Sequence, residues 1–327
     1  MNKILSRKKI VITGGAGFIG SNLCDYFTKN DNEVYCFDNL STGKQSNISH
    51  LVKKNNFHFV LGDIRNADQC REICEGADIV FHQAALGSIP RSINDPITTN
   101  EVNITGQLNM LIAARDAKVK RFIFACSSST YGDSITLPKI EEQIGQPLSP
   151  YALTKYVNEI YAKLFHDIYG LEYIGLRYFN VFGYRQDTES TYAAVIPIFV
   201  KKLLNLESPT IYGNGEYSRD FTFIDNVVNI NNLAATTENP QALNTIYNVA
   251  CNESTSLNQL ANYLKEILSK YNPAIADIDF LYGENRKGDI PHSLASIEKA
   301  KRLLGYIPQF KVKEGLEKAC KWYINNL

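Results

Sequence analysis

Tyr151 and Lys155 stand one helical turn apart in Ser149-Pro-Tyr-Ala-Leu-Thr-Lys155. On a helix that spacing puts both side chains on one face. An ammonium beside a phenol favours the phenolate, so the pair can act as a proton acceptor near neutral pH. Ser149 is a suitable N-cap and Pro150 a suitable first helical residue, so the segment itself starts the helix. A Tyr-x-x-x-Lys pair alone is common. The run Ser127-Ser-Ser129, at the end of a predicted strand, makes it more specific, because a serine there can hydrogen-bond the same reacting oxygen. A second signal is Gly14-x-x-Gly17-x-x-Gly20, between a predicted strand and a helix. Glycines allow a tight turn and close approach of backbone to a pyrophosphate, which then meets the helix N-terminus. Asp38 ends the next strand, where a carboxylate accepts from the ribose hydroxyls of NAD and repels the 2′-phosphate of NADP. Arg65 and Lys44 are the nearby cations that would serve a phosphorylated cofactor instead. Asp63 either faces the adenine or caps a turn, and His82 is expected to pack rather than to ligate. No grouping of His, Cys and acidic residues has metal-site spacing.

These residues need a scaffold, and the first half of the chain supplies one. Lys9–Thr13, Glu33–Phe37, Phe57–Leu61, Ile79–Phe81, Arg121–Cys126 and Tyr173–Arg177 are predicted strands, with helical patterns between them such as Val102–Ala117. Strands without polar alternation, separated by helices, predict an α/β fold: a Rossmann-type parallel sheet with helices on both faces. After about Asn180 the rhythm changes. Helices are expected over Pro197–Leu206, Asp225–Thr236, Ser256–Ser269 and Val312–Asn326, and strands over Pro209–Tyr212 and Thr245–Val249. The reading is a dinucleotide-binding domain over 1–180 and a smaller mixed α/β substrate domain over 181–327, with later segments crossing back.

A chain of 327 residues can bury a sizeable core. Its 34 basic and 34 acidic residues give no bulk positive charge for nucleic acid. Seven cysteines, an odd number with no zinc spacing, suggest a reducing cytoplasmic setting. Neither a signal peptide nor a membrane span is predicted.

The ordered motifs together resemble the extended short-chain dehydrogenase/reductase family, whose members act on nucleotide sugars. They are Thr13–Ser21, Asp38–Gly43, Gly62–Arg65, His82–Ser88, Ser127–Gly132, Tyr151 with Lys155, Leu176–Gly183 and Ser218–Phe221. Within that family the chain is most similar to bacterial UDP-N-acetylglucosamine 4-epimerases of surface-polysaccharide pathways. The resemblance implies tightly held NAD, contacted by Gly14, Gly17, Phe18, Ile19, Gly20, Asp38, Asn39, Ser41, Gly43, Asp63, Ile64, Gln83, Ala84, Ala85 and Tyr178, with Tyr151 and Lys155. It implies that Tyr151 takes the 4-hydroxyl proton, that Ser127 and Ser128 assist at the same oxygen, and that Lys155 holds the nicotinamide ribose. Family dehydratases place an Asp-Glu pair after the residue matching Ser127, and related decarboxylases a glutamate at the position of Ser129. Serines stand there instead, so C4 inversion through a 4-keto sugar is the expected reaction.

For the UDP-sugar, the resemblance implies contacts from Asn180, Val195, Tyr212, Asn214, Arg219, Arg286 and Asp289, the two arginines clamping the diphosphate. Gly87, Ser88, Arg91, Ala193 and Ser293 would shape the sugar pocket beside Ser127, Ser128 and Tyr151. Ser293 lies where strict glucose/galactose epimerases carry a bulky tyrosine, so an N-acetyl group has room. Arg91 could instead meet a 6-carboxylate, which keeps the uronic acid form and a relaxed enzyme accepting UDP-glucose as alternatives. Outside enzymes, the alternative is an NAD- or nucleotide-sugar-binding regulatory module. One departure from the subgroup is Gly15, where valine is frequent, a change expected to affect packing. Family members commonly form homodimers through a four-helix interface that includes the helix starting near Tyr151.

Overall fold

Successive residues of Lys9–Thr13 point to opposite faces of a sheet. Ile10 and Ile12 enter one hydrophobic cluster, with Leu23, Phe27 and Phe81, and Val11 enters another, with Val80, Met110 and Phe122. All of these are fully or nearly fully buried, which explains why the strands read as unbroken apolar runs. A computed structural model describes residues 3–187, 194–284 and 290–326. Its main sheet contains β1 (Lys9–Thr13), β2 (Glu33–Asp38), β3 (Phe57–Leu61), β4 (Ile79–His82), β5 (Arg121–Ser127), β6 (Tyr173–Tyr178) and β7 (Thr245–Val249). The strand order is β7-β6-β5-β4-β1-β2-β3, and every neighbouring pair is parallel. Strand order reverses between β1 and β4, and the crevice beyond the carboxyl ends at such a point is where open α/β sheets take ligands. Strand β7 belongs to the later part of the chain, which returns to lie beside β6 with Tyr247 opposite Leu176.

The helix α1 (Phe18–Lys29) follows the glycine turn. A helix is expected from Val102, but Glu101–Thr105 forms a wider π-helical turn, and the α-helix α2 runs over Gly106–Asp116. The difference has a local cause. A Cβ at Gly106 would sit 2.5 Å from Ile64 Cδ1, so the chain passes close to the end of β3 there. In the same turn the buried Asn103 exchanges hydrogen bonds with the backbone of Leu86 and donates to Thr154 Oγ1 at 3.1 Å. The helix α3 (Pro150–Tyr169) begins as expected: Ser149 Oγ accepts from Ala152 N at 3.1 Å and Pro150 opens the first turn. It stops at Gly170, whose φ of 72° is left-handed.

The smaller region is built on short strand pairs. Thr210–Tyr212 lies parallel to Leu281–Gly283, and Ser218–Arg219 lies antiparallel to Thr255–Ser256. Helices Val195–Leu204 and Leu257–Ser269 bury Phe199, Leu203, Leu260 and Leu264 around them. All seven cysteines are unpaired, and all but Cys251 are buried. Among the described residues there is no metal-binding cluster, and no helix is long and apolar enough to cross a membrane.

Candidate active site

A cleft of about 860 Å³ opens at the carboxyl ends of the strands. Its floor is the turn Gly14–Gly20. Gly14 has φ of 65°, and a Cβ there would stand 2.7 Å from Ala84 N, so no other residue fits. A Cβ at Gly20 would lie 2.1 Å from Gly14 O. Gly17 caps α1 without a side-chain acceptor, which leaves N–H groups of the first turn free for an anion. Gly15 is matched by what lies beneath it: a side chain there would meet Cys36 Sγ at 2.6 Å and Cys24 Sγ at 3.2 Å.

Asp38 is buried at the rim, accepting from Ala16 N at 2.9 Å and Leu40 N at 2.8 Å. Burial raises its carboxyl above the ordinary value against those two bonds. Each oxygen keeps a lone pair for a ribose hydroxyl. A Cβ at Gly43 would stand 2.9 Å from the Asp38 carboxylate, so that loop folds tightly over it. Asn39 donates to Asp63 at 3.0 Å, and Asn39 Oδ1 accepts from Ser41 N at 3.0 Å. The two cations weighed for a 2′-phosphate are already paired. Arg65 bonds Asp63 at 2.6 Å, holding that carboxyl at about 2, and Lys44 meets Asp187 at 2.8 Å. His82 is buried against Thr13 Oγ1 at 2.8 Å, and burial pushes its imidazole down to about 3, the neutral packing role expected of it.

Phe18, Ile19, Ile64, Gln83, Ala84 and Ala85 line the same cleft, as do Gly87, Ser88, Ser127, Ser128, Tyr151, Lys155, Tyr178 and Asn180. The Tyr178 hydroxyl donates to Gln83 Oε1 at 3.2 Å and accepts from Asn231 Nδ2 at 3.0 Å. The buried Gln83 Nε2 has no partner among the described residues, an amide donor left over in the wall of the cleft. Together with the glycine cradle and the uncapped helix start, that donor fits a dinucleotide.

Tyr151 and Lys155 share one face of α3, next to the end of β5. Lys155 Nζ donates to Ala125 O at 2.8 Å, and burial pushes the ammonium down to about 8. Burial also raises the Tyr151 phenol, partly opposed by the Ser127 hydroxyl nearby. Ser127 Oγ in turn accepts from Ser129 Oγ at 2.8 Å and Ser129 N at 3.1 Å. Ser129, notable in the sequence for the acid it replaces, here orients the Ser127 hydroxyl. Asn103, which fixes the Leu86 end of the cleft loop, gave no signal in the sequence, since its partners come from distant segments.

A second cavity of about 380 Å³ shares Asn180, Val181, Gln186 and Ile198 with the first, so the two are continuous. Val195, Tyr212 and Arg219 line it, and Arg219 Nη1 donates to Ser218 O at 2.9 Å and Pro291 O at 3.2 Å. Asn180 adopts φ of 37° and donates to Asp220 O at 2.9 Å. Not every expected residue reaches a cavity wall. Arg91 lies one turn beyond Ser88 outside the lining, and Asn214 is a turn former whose Oδ1 accepts from Glu216 N at 3.1 Å. Ser293 lines neither cavity, and its N–H donates to Ser218 O at 3.0 Å. Ala193, Arg286 and Asp289 lie outside the described residues.

A glycine cradle at the β1/β4 reversal with a Ser-Tyr-Lys face across from it defines a class of dinucleotide-dependent enzyme. Residues 10–250 match the model of the NAD dependent epimerase/dehydratase family, and the chain belongs to that family. Among solved structures it is similar to a UDP-N-acetylglucosamine 4-epimerase of Methanobrevibacter ruminantium, with 40% identity, 99% of this chain and 100% of that one covered, and a TM-score of 0.92. It is also similar to a UDP-glucuronic acid 4-epimerase of Bacillus cereus, at 29% identity, 98% and 100% coverage and a TM-score of 0.88. A UDP-glucose 4-epimerase of Mycolicibacterium smegmatis is 31% identical over 97% of this chain and 99% of its own length.

Proposed function

We propose that this protein catalyses reversible C4 epimerisation of UDP-N-acetylglucosamine and UDP-N-acetylgalactosamine through a 4-keto sugar, with NAD remaining bound. The observation that carries the reading is the Ser127–Tyr151–Lys155 cluster on the cleft, with Ser128 and Ser129 where an acid would be needed for dehydration or decarboxylation. Bound NAD supplies a hydride acceptor that can return the hydride to the other face of the same carbon. Tyr151 accepts the proton of the 4-hydroxyl and later gives it back. Ser127 holds that oxygen, and Lys155 supplies positive charge beside the phenol. The raised phenol of Tyr151 makes this charge necessary, since burial alone keeps the proton on.

The reading divides the chain near residue 180. The NAD side is built on 1–180 with β7, and the nucleotide-sugar side on most of 181–327, where Arg219, Tyr212 and Val195 line a cavity that this reading assigns to the uridine and diphosphate. The similarity to the Methanobrevibacter enzyme supports an acetamido sugar. So does the open space at Gly87, where a Cβ would meet nothing within 4 Å. Exposed Leu153, Ile160, Leu164 and Ile168 on α3 support pairing of two copies.

The test is to incubate purified protein, without added cofactor, with UDP-GlcNAc, UDP-GalNAc, their C6 acids and UDP-glucose, following anomeric protons by NMR. Interconversion of the two acetamido sugars is expected. A preference for the acids above about tenfold, about 1.4 kcal/mol, would replace the substrate. No C4 interconversion of any compound would overturn the reaction.

A further inference from the structure

Behind the Tyr151–Lys155 face lies a buried ion pair that the proposed chemistry does not use. Glu159 is one turn beyond Lys155 on α3, and Arg177 stands on β6. The guanidinium grips the carboxylate with two bonds, Nε to Oε1 at 2.8 Å and Nη2 to Oε2 at 2.6 Å. The two side chains are 4% and 7% exposed, Arg177 and Glu159 respectively. Arg177 Nη1 donates to Glu141 O at 2.9 Å, and the guanidinium lies 4.9 Å from the centre of the Tyr131 ring. Tyr131 closes the turn Ser128–Tyr131 that follows Ser127, and its hydroxyl donates to Asn248 Oδ1 at 2.7 Å. Asn248 N then donates to Glu141 Oε1 at 2.8 Å. One pair thus touches the helix carrying Tyr151 and Lys155, the serine turn and, through Asn248, β7.

Stability alone does not account for it, because a buried ion pair loses about as much on desolvation as it regains, and apolar groups of the same shape do as well. We propose that Glu159 and Arg177 are a positioning pair for Lys155: Glu159, one turn further along α3, keeps a carboxylate charge near the ammonium, and Arg177 locks the Ser127 turn against α3. The proposal rests on the assignment of Tyr151 and Lys155 to proton transfer.

The surroundings of Lys155 leave these as the charges that matter. Glu159 from α3 and Cys126 from β5 act on it, and it acts on His82 from β4. Cys126, which feels Glu159, Arg177 and Lys155 together, is held neutral by burial, and so is His82. Burial lowers the Lys155 ammonium to about 8, and Glu159 works against that drop. As pH rises through this value the ammonium is lost, so kcat/KM should fall on the alkaline side.

The experiment compares wild type, E159Q and the double variant E159Q/R177M in kcat/KM against pH, with UDP-GlcNAc as substrate. Nucleotide released on denaturation reports retained NAD, and circular dichroism reports folding. E159Q removes the carboxylate that works against the burial of the ammonium, so its alkaline limb should move down by about one pH unit. The double variant also lacks the carboxylate, so its limb should lie with that of E159Q, while kcat drops about tenfold at unchanged KM because the Ser127 turn is no longer locked. A limb in E159Q identical to wild type overturns the charge role, and a double variant with wild-type kcat overturns the locking role. Should E159Q not fold, the double variant decides, because it leaves no buried charge unpaired. An inactive wild type would overturn the underlying reading and the pair with it; an active wild type with unmoved variants overturns the pair alone.

Discussion

Around Gly14–Gly20 the cleft is backbone packed on backbone, with Gly20 so close to Gly14 O that a methyl group has no room. Around Arg219 the walls are side chains hung on strand pairs two or three residues long, and the arginine is aimed by carbonyls of Ser218 and Pro291. The first region tolerates almost no change of residue type, because its fit is set by covalent geometry. The second has parts that adjust separately, which suits a family whose relatives act on UDP-N-acetylglucosamine, UDP-glucose and UDP-glucuronic acid. On the proposed division, a rigid cofactor side and an adaptable sugar side would let one hydride chemistry serve several sugars.

Four substitutions can break or sharpen that contrast. The largest effect is expected at the face between the two regions: Tyr151→Phe should lower turnover by about 10²–10⁴-fold, measured by NMR, while the protein keeps its NAD. On the rigid side, Gly20→Ala should abolish NAD retention, because its Cβ would lie 2.1 Å from Gly14 O. Overpacking of this kind costs about 1–3 kcal/mol, and both effects can be read from released nucleotide and the melting temperature. On the adaptable side, Arg219→Ala should raise KM for the UDP-sugar about ten- to hundredfold, the loss of a charged hydrogen bond of about 1.5–3 kcal/mol, with kcat nearly unchanged. An equal fall in kcat would place Arg219 in the chemical step instead.

A separate effect, on stability and not on turnover, concerns Asp220, next to Arg219. It is fully buried and accepts from Cys251 N at 2.8 Å, and burial raises its carboxyl to about 7. The unfolded value is about 3.9, so between the two the folded state holds the extra proton. Its contribution to stability is therefore complete below about pH 4 and is lost as pH rises through about 7. Asp220→Asn cannot titrate, so its melting temperature should gain on wild type between about pH 4 and about pH 7.

What could be read from sequence follows the same division. Gly14, Gly17, Gly20, Asp38, Tyr151 and Lys155 were readable because each acts within a few residues of its own turn, strand end or helix start, where local rules apply. The start of α3 was predicted to the residue for that reason. Asn103 was not, because its function is to reach Leu86 and Thr154, and only the fold brings them together. The π-helical turn around it was missed as well, since a helical pattern does not show where a glycine must pass Ile64. Arg177 stood in the sequence only as the end of a predicted strand and Glu159 gave no signal, because their pairing depends on how β6 and α3 pack. On the sugar side, family position carried Ser293 and Arg91 to a pocket whose described lining contains neither.

The central claim is inversion at C4 by a hydride that leaves and returns to the same sugar. UDP-GlcNAc carrying deuterium at C4 tests it most directly, incubated with the purified protein in ordinary water without added NAD. The account predicts UDP-GalNAc that retains the deuterium at C4, observed by NMR and mass spectrometry. Loss of the label to solvent, or no UDP-GalNAc at all, would contradict it.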